Sequence, residues 1–339
     1  MQTSVERFLS IITSKSLRPT APLGSRCGAF EGLQQDTAGA REPRHKDPFA
    51  DGVTSDRYTR SLGRLFQLQT AAQTFDRYLS ILEVDAEPPG IEHLTRLVRA
   101  QVNRVPFENI SKLWLRKTRG ATTVPSLEEH LDGIEHRSFG GTCYANNPFF
   151  AQLLRYLGYD VTICGADMSK PDVHLVSIVR LDGREYLIDV GYAAPFYTPM
   201  PRDLDHDLEI AFGTSLFVLR SQDRSGRSRL DMFRDKELIH GYLAKPESRK
   251  IEDFEGVIRN SYSNRATFMN VLVVERFFDG RSVRIHNLTL SESTPETTKT
   301  TQLADRRELV EAVERHCEID ADIVREAIAD IPLQGDIYD

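Results

Sequence analysis

Cysteine is scarce in this chain of 339 residues: Cys27, Cys143, Cys164 and Cys317 are too scattered for a disulfide framework, and no pair has zinc-knuckle or redox spacing. A reducing, cytoplasmic setting is the expectation. Long apolar runs are missing too, since stretches such as Val271-Leu272-Val273-Val274 fall far short of the roughly 20 residues a membrane-crossing helix needs. No membrane partner is expected. Positive charge is not in excess, with 43 Lys plus Arg against 50 Asp plus Glu and a formal net charge of −7. No window concentrates basic and aromatic residues as nucleic-acid binders do, which argues against a nucleic-acid partner. The chain lacks an HExxH motif, a phosphate-binding glycine loop and a dinucleotide fingerprint, so neither a bound metal nor a bound cofactor is implied. The apolar segment Phe8, Leu9, Ile11 and Ile12 is too short and broken for a secretory signal, leaving organelle targeting as the weaker alternative.

What is present is globular: 40% hydrophobic and 27% charged residues, enough for two or three domains with real cores. Residues 1–70 intersperse Gly, Pro, Ser, Thr, Arg and Asp without a sustained apolar period and read as a mostly disordered extension. From Phe75 the pattern turns helical. Phe75, Tyr78, Leu79 and Leu82 share a face, then Leu94, Leu97, Val98 and Val102; further helices are predicted at Leu127 to Ile134 and through Phe149 to Leu157, ending at Gly158. Residues 71–158 are thus expected to form a helical bundle. Residues 159–245 carry short β-rich runs at Val161 to Ala166, His174 to Leu181, Glu185 to Val190, Ser215 to Leu219 and Asp231 to Phe233, hence an antiparallel β domain. Residues 246–339 mix a helix near Ile251 to Ile258, strands at Thr267 to Val274 and Ser282 to Leu290, and a charged helix near Arg306 to Cys317. The fold class is α+β in three modules.

The stretch Phe139-Gly140-Gly141-Thr142-Cys143-Tyr144-Ala145-Asn146-Asn147 sets a tight glycine turn before a cysteine that itself precedes a helix. The positive end of a helix favours thiolate over thiol, although Pro148 suggests a helix start after an Asn147 cap, with Cys143 one turn upstream. The bland alternative is a small buried hydrophobe. A cysteine nucleophile needs an imidazole and an acidic orienter. Asp182-Gly183 is a preferred two-residue hairpin turn, and pairing across it sets Leu181 opposite Arg184, Arg180 opposite Glu185 and Ile178 opposite Leu187. Continued, the register brings Val176 to Asp189 and His174 to Gly191, so His174 and Asp189 are diagonal neighbours on one face. Gly191 opposite His174 is expected to leave space beside the ring.

At this point the chain resembles the arylamine N-acetyltransferases. The landmarks, in order, are Val105-Pro106-Phe107-Glu108-Asn109, Gly140-Gly141-Thr142-Cys143 with Asn147, His174, Asp189-Val190-Gly191-Tyr192 and Ile251-Glu252-Asp253-Phe254. The resemblance spans roughly Phe75 to Ile331. It implies a helical bundle, an antiparallel β-barrel and an α/β lid around a cysteine-protease-like core in which Cys143 is nucleophile, His174 base and Asp189 orienter. Glu108, Arg137, Gly140, Gly141 and Asn147 would support the site, and Phe107, Gly191 and Tyr192 would meet substrate. Phe139 stands where that family usually places an arginine paired with the glutamate of the Pro-Phe-Glu-Asn segment, so Arg137 is expected to pair with Glu108 instead. Ala145 replaces a usual acidic or amide residue, Gly191-Tyr192-Ala193 a usual Gly-Phe-Gly, and the interval from Cys143 to His174 is short for the family.

The reading that follows is an acyl-CoA-dependent N-acyltransferase, moving an acetyl group from acetyl-CoA, or another acyl group from its CoA thioester, to a small primary arylamine or hydrazine by a ping-pong route. CoA thioester and amine would be its partners. The alternatives are an amide synthase of secondary metabolism using another thioester donor and a catalytically degenerate binding scaffold. A cysteine peptidase shares the Cys, His, Asp order, but the papain-type sequence around the cysteine is missing. Oligomeric state is not legible.

Overall fold

Cap and turn chemistry sets most element boundaries in the computed structural model, which describes residues 71–334. The expected disordered extension, 1–70, lies outside the described residues. The helical half contains α1 (71–82), α2 (Ile91–Arg104), the short strand β1 (Phe107–Glu108), α3 (Ile110–Arg119), α4 (Leu127–Arg137) and α5 (Cys143–Tyr156). A capping box between Ser126 and Glu129 starts α4, and left-handed Gly120 (φ 64°) ends α3.

The strands that follow are β2 (Asp160–Asp167), β3 (His174–Leu181), β4 (Arg184–Ile188), β5 (Met200–Pro201), β6 (Leu208–Phe212), β7 (Ser215–Leu219), β8 (Ser228–Arg234) and β9 (Glu237–Ser248). They form one antiparallel sheet in the order β5-β4-β3-β2-β9-β8-β7-β6. The edge strands β5 and β6 are not paired with each other among the described residues, so the barrel-like sheet is not closed by hydrogen bonds. The β3–β4 register is the one expected: Leu181 faces Arg184, Arg180 faces Glu185 and Ile178 faces Leu187. Asp182 (φ 51°) and Gly183 (φ 76°) make the turn. The ladder stops at Ile188, which frees Asp189 to bend toward the site.

A 3₁₀ turn, Ile251–Phe254, leads into α6 (Glu255–Asn260), then β10 (Val273–Phe278), β11 (Arg281–His286), β12 (Thr289–Ser293), β13 (Thr298–Gln302), α7 (Arg306–Cys317) and α8 (Ala321–Ile328). Two expectations change here. The run 267–274 opens as a 3₁₀ turn, Thr267–Met269, so β10 starts only at Val273. The run 282–290 is two strands, folded back where Asn287 adopts φ 50°. Asn tolerates that left-handed conformation, and an apolar run conceals such a turn.

The described residues from Phe75 onward, 75–334, belong to one compact unit. Its largest core joins Leu97, Leu131, Phe150 and Leu153 of the helices to Leu175, Val179 and Ile188 of the sheet. A second core joins Ile110, Leu113 and Phe139 to Val274, Ile285, Leu309 and Val324. β1 is the seam between them: Phe107 and Glu108 pair with Glu275 and Val274 of β10, while Phe107 also bridges Gly141.

Candidate active site

Cys143 is the first residue of α5 and follows the N-cap Thr142, so the structure corrects the expected upstream position. Pro148 sits inside the helix. Being in its second turn, it forfeits one hydrogen bond without ending a helix whose Phe149, Phe150, Leu153 and Leu154 are buried. The sulfur therefore lies at the positive end of α5.

The glycine turn is fixed by backbone contacts. Glu108 N–H donates to Gly141 C=O at 3.2 Å and Gly141 N–H donates to Pro106 C=O at 3.3 Å. A Cβ on Gly140 would lie 1.9 Å from Pro106 O, and one on Gly141 2.9 Å from the Ala145 Cβ. Only glycine lets β1 and the turn approach so closely.

His174, at the start of β3, lies with Nε2 2.8 Å from Asp189 Oδ2, both side chains being essentially buried. The ring shares the wall of one small cavity with Cys143. Burial pulls the His174 imidazole down, but the charges of Asp189 and Cys143 outweigh it and raise the ring to about 10. Asn147 locks the carboxylate: its Nδ2 donates to Asp189 Oδ1 at 2.8 Å and to Leu175 O at 2.7 Å, while its Oδ1 accepts from Val190 N–H at 2.8 Å. The structure brings His174, Asp189 and Asn147 into one buried hydrogen-bonded chain, with Cys143 on the wall of the cavity that the ring faces.

Gly191 plays a part beyond the one expected. A Cβ there would lie 2.6 Å from the Cys143 Cα and 2.7 Å from Asn147 Nδ2, so the missing side chain makes room for the cysteine backbone, and the glycine also lines the cavity that His174 faces. Tyr192 packs edge-on to His174 with ring centroids 5.7 Å apart and its hydroxyl 2.9 Å from His240 Nδ1. A small cavity of about 70 Å³ opens on Cys143 and His174 and is walled by Phe107, Gly191, Tyr192, His240 and Phe268. Phe107, Gly191 and Tyr192 thus line the same cavity as the thiol.

An N-acetyltransferase family model matches residues 90–325. The chain belongs to the arylamine N-acetyltransferase family. It is 25% identical over 191 residues to the arylamine N-acetyltransferase pineal gland isozyme NAT-10 of Gallus gallus, covering 50% of this chain and 64% of that one. It is 26% identical over 178 residues to the proansamycin X synthase of Amycolatopsis mediterranei, covering 48% and 66%. The chain thus spans about two thirds of the length of these curated relatives. Among solved structures, the Nocardia farcinica arylamine N-acetyltransferase superposes with a TM-score of 0.64 at 24% identity, covering 76% of this chain and 94% of that one. The Mycobacterium marinum enzyme in complex with CoA does so with 0.64 at 21%, covering 76% and 99%. These likenesses concern the fold.

Within this family member, the Glu108–Arg137 pair expected from sequence does not form. Glu108 is completely buried, yet its carboxylate accepts from Ser111 N–H at 2.8 Å, Ser111 Oγ at 2.6 Å and Gly140 N–H at 3.0 Å. Burial pushes this carboxyl up, and those donors pull it back. Arg137 lies over the Trp114 ring, 5.6 Å from its centroid. Phe139 explains the change: it is buried 5.9 Å from Trp114 in the second core, where an arginine would be desolvated. Ser111, two residues beyond the motif, substitutes for the missing cation.

Sequence reasoning missed several neighbours of the site. Tyr242, on β9, is fully buried with its ring 4.9 Å from His174. Burial, then the adjacent Asp189, holds its phenol well above the usual range. His240 and Lys112 also went unnoticed, because neither stands in a motif and only tertiary folding brings them in. Among the described residues, no group of three or more His, Cys, Asp or Glu side chains could hold a metal.

Proposed function

We propose that this chain is an acyl-CoA-dependent N-acyltransferase, most simply moving acetyl from acetyl-CoA to a primary arylamine or hydrazine. The observation that carries the reading is the buried His174–Asp189 pair, whose ring lines one small apolar cavity together with Cys143. Family membership supports it. The three expected modules, 71–158, 159–245 and 246–339, form part of the proposal: the first supplies the nucleophile, the second the histidine and aspartate, and the third covers the site. A cytoplasmic setting fits the free thiols of Cys143, Cys164 and Cys317.

The chemistry divides into two half-reactions. His174 takes the thiol proton of Cys143, and the sulfur attacks the thioester carbonyl. As the carbonyl–sulfur bond to CoA breaks, His174 returns the proton to the departing CoA sulfur, leaving acyl-Cys143. The amine nitrogen then attacks the acyl carbon, His174 accepts its proton, and the amide forms as that proton passes to the Cys143 sulfur. Asp189 keeps the imidazole oriented in both directions. Water would cleave the same intermediate, and the small apolar cavity disfavours it.

The deciding experiment is intact-mass measurement after incubation with a panel of acyl-CoAs. Wild type should gain the mass of one acyl group, at Cys143, and release it on adding an arylamine; Cys143→Ser should gain none. The same panel addresses a second reading, amide synthesis from another thioester donor, which the synthase among the relatives brings in. An adduct that forms from no CoA thioester would reject the proposal.

A further inference from the structure

We propose that Lys112, on α3, is a positioning residue whose buried ammonium charge acts on Cys143 from behind the nucleophile's loop, favouring the anionic sulfur. The inference rests on the proposed nucleophilic role of Cys143. Lys112 is only 8% exposed. Its Nζ donates to Ser261 Oγ at 2.8 Å and sits 4.3 Å from the centre of the Tyr262 ring. Among the described residues it forms no ion pair with a carboxylate. An ammonium removed from water without a carboxylate destabilises the fold, so its field is not quenched by a local partner.

The surroundings direct that field to the thiol. Lys112 faces a cavity of about 40 Å³ whose wall includes Thr142 and Tyr144, the residues on either side of Cys143. Thr142 also walls the cavity that holds the thiol, so the cavity that Lys112 faces and the cavity of Cys143 adjoin at the residue before the nucleophile. The remaining titratable groups around the Lys112 cavity are accounted for. Glu108 is occupied by Ser111 and Gly140, and Glu129 caps Ser126 and reaches Arg119. Burial keeps His130 neutral by lowering it to about 4 and raises the phenols of Tyr144 and Tyr262. Lys112 is therefore the one cation among the described residues lining this cavity. Burial lowers it to about 8, while the charge of Cys143 pulls it back up. It is thus protonated below about pH 8.

The test is iodoacetamide alkylation of Cys143 in the full chain across about pH 5 to 9, followed by peptide mass for wild type, Lys112→Met and Lys112→Arg. In Lys112→Met the rising limb should move up by about one pH unit, making alkylation about tenfold slower near pH 6. Lys112→Arg should stay near wild type, and the curves should converge above about pH 8. A purely structural lysine would change thermal stability without moving the limb. If Lys112→Met does not fold, Lys112→Gln is read by the same criterion. Superimposable limbs over a reactive wild-type thiol overturn this inference alone. A wild-type Cys143 that alkylates like an ordinary thiol rejects the nucleophile assignment and this inference with it.

Discussion

Asp189 is held by more than the His174 imidazole. Asn147 supplies one hydrogen bond to its second oxygen and two more to the backbone on either side, which ties α5 to the end of β4. Replacing Asn147 with Leu leaves buried Asp189 Oδ1, Leu175 C=O and Val190 N–H without this partner, so unfolding in urea should show a loss of about 2–4 kcal/mol. Asp189→Asn keeps the shape but can hold the wrong imidazole tautomer, and steady-state turnover should fall by orders of magnitude. Unchanged turnover would reduce Asp189 to a strand-end residue. Glu108 and Arg137 make no contact with each other, so the double cycle of Glu108→Gln and Arg137→Met should be additive within about 0.5 kcal/mol. A larger coupling would restore the pair that the sequence suggested.

The Asp182-Gly183 hairpin and the register it dictates were legible because turn type and period-two alternation are local properties. The meeting of His174 with Asp189 was legible only in part: the ladder ends at Ser177 and Ile188, so the continued pairing of Val176 with Asp189 and His174 with Gly191 does not form, and a bend after β4 makes the contact. The role of Gly191 was not legible, since its neighbours Cys143 and Asn147 are distant in sequence. The contrast yields a test. Gly191→Ala must displace the Cys143 backbone, because its Cβ would stand 2.6 Å from the Cα, and a shift of about 1 Å should lower turnover about a hundredfold. Gly183→Ala meets nothing within 4 Å, and its φ of 76° should cost only about 1 kcal/mol of stability with turnover retained. Equal effects of the two substitutions on turnover would remove the packing argument. Strands β6 and β9 and helices α3 and α8 escaped sequence reasoning. In β9, for example, Leu238 and Ile239 are exposed while Gly241 and Ala244 are buried, so no simple alternation marks it.

Both cores cross the expected module boundaries, and the seam between them contains a buried carboxylate. Glu275 on β10 is 8% exposed, with Arg284 Nε no nearer than 3.8 Å. Burial raises its carboxyl from 4.5 to about 7 against the pull of Arg284 and Arg234. A carboxyl raised on folding adds stability that is complete below its unfolded value and disappears as pH rises through its folded value. Glu275→Gln removes that dependence. Its unfolding free energy relative to wild type should therefore improve by about 2 kcal/mol between about pH 5 and pH 8. Equal differences at both pH values would show that Glu275 ionises in the folded protein as it does unfolded.

Local chemistry in the chain was enough to specify the helical and β-rich halves, the hairpin register as far as Ile188, and Cys143, His174 and Asp189 as candidates for the site. Each depends on a period, a turn pair or a short ordered motif. Tertiary packing decided the rest. It started α5 at Cys143, gave Glu108 to Ser111 and the glycine turn, buried Phe139 against Trp114, and brought Lys112 and Tyr242 to a site from which they are far in sequence. Those outcomes follow from burial and hydrogen-bond satisfaction across distant segments: a buried polar group takes whichever partner the completed fold places within reach.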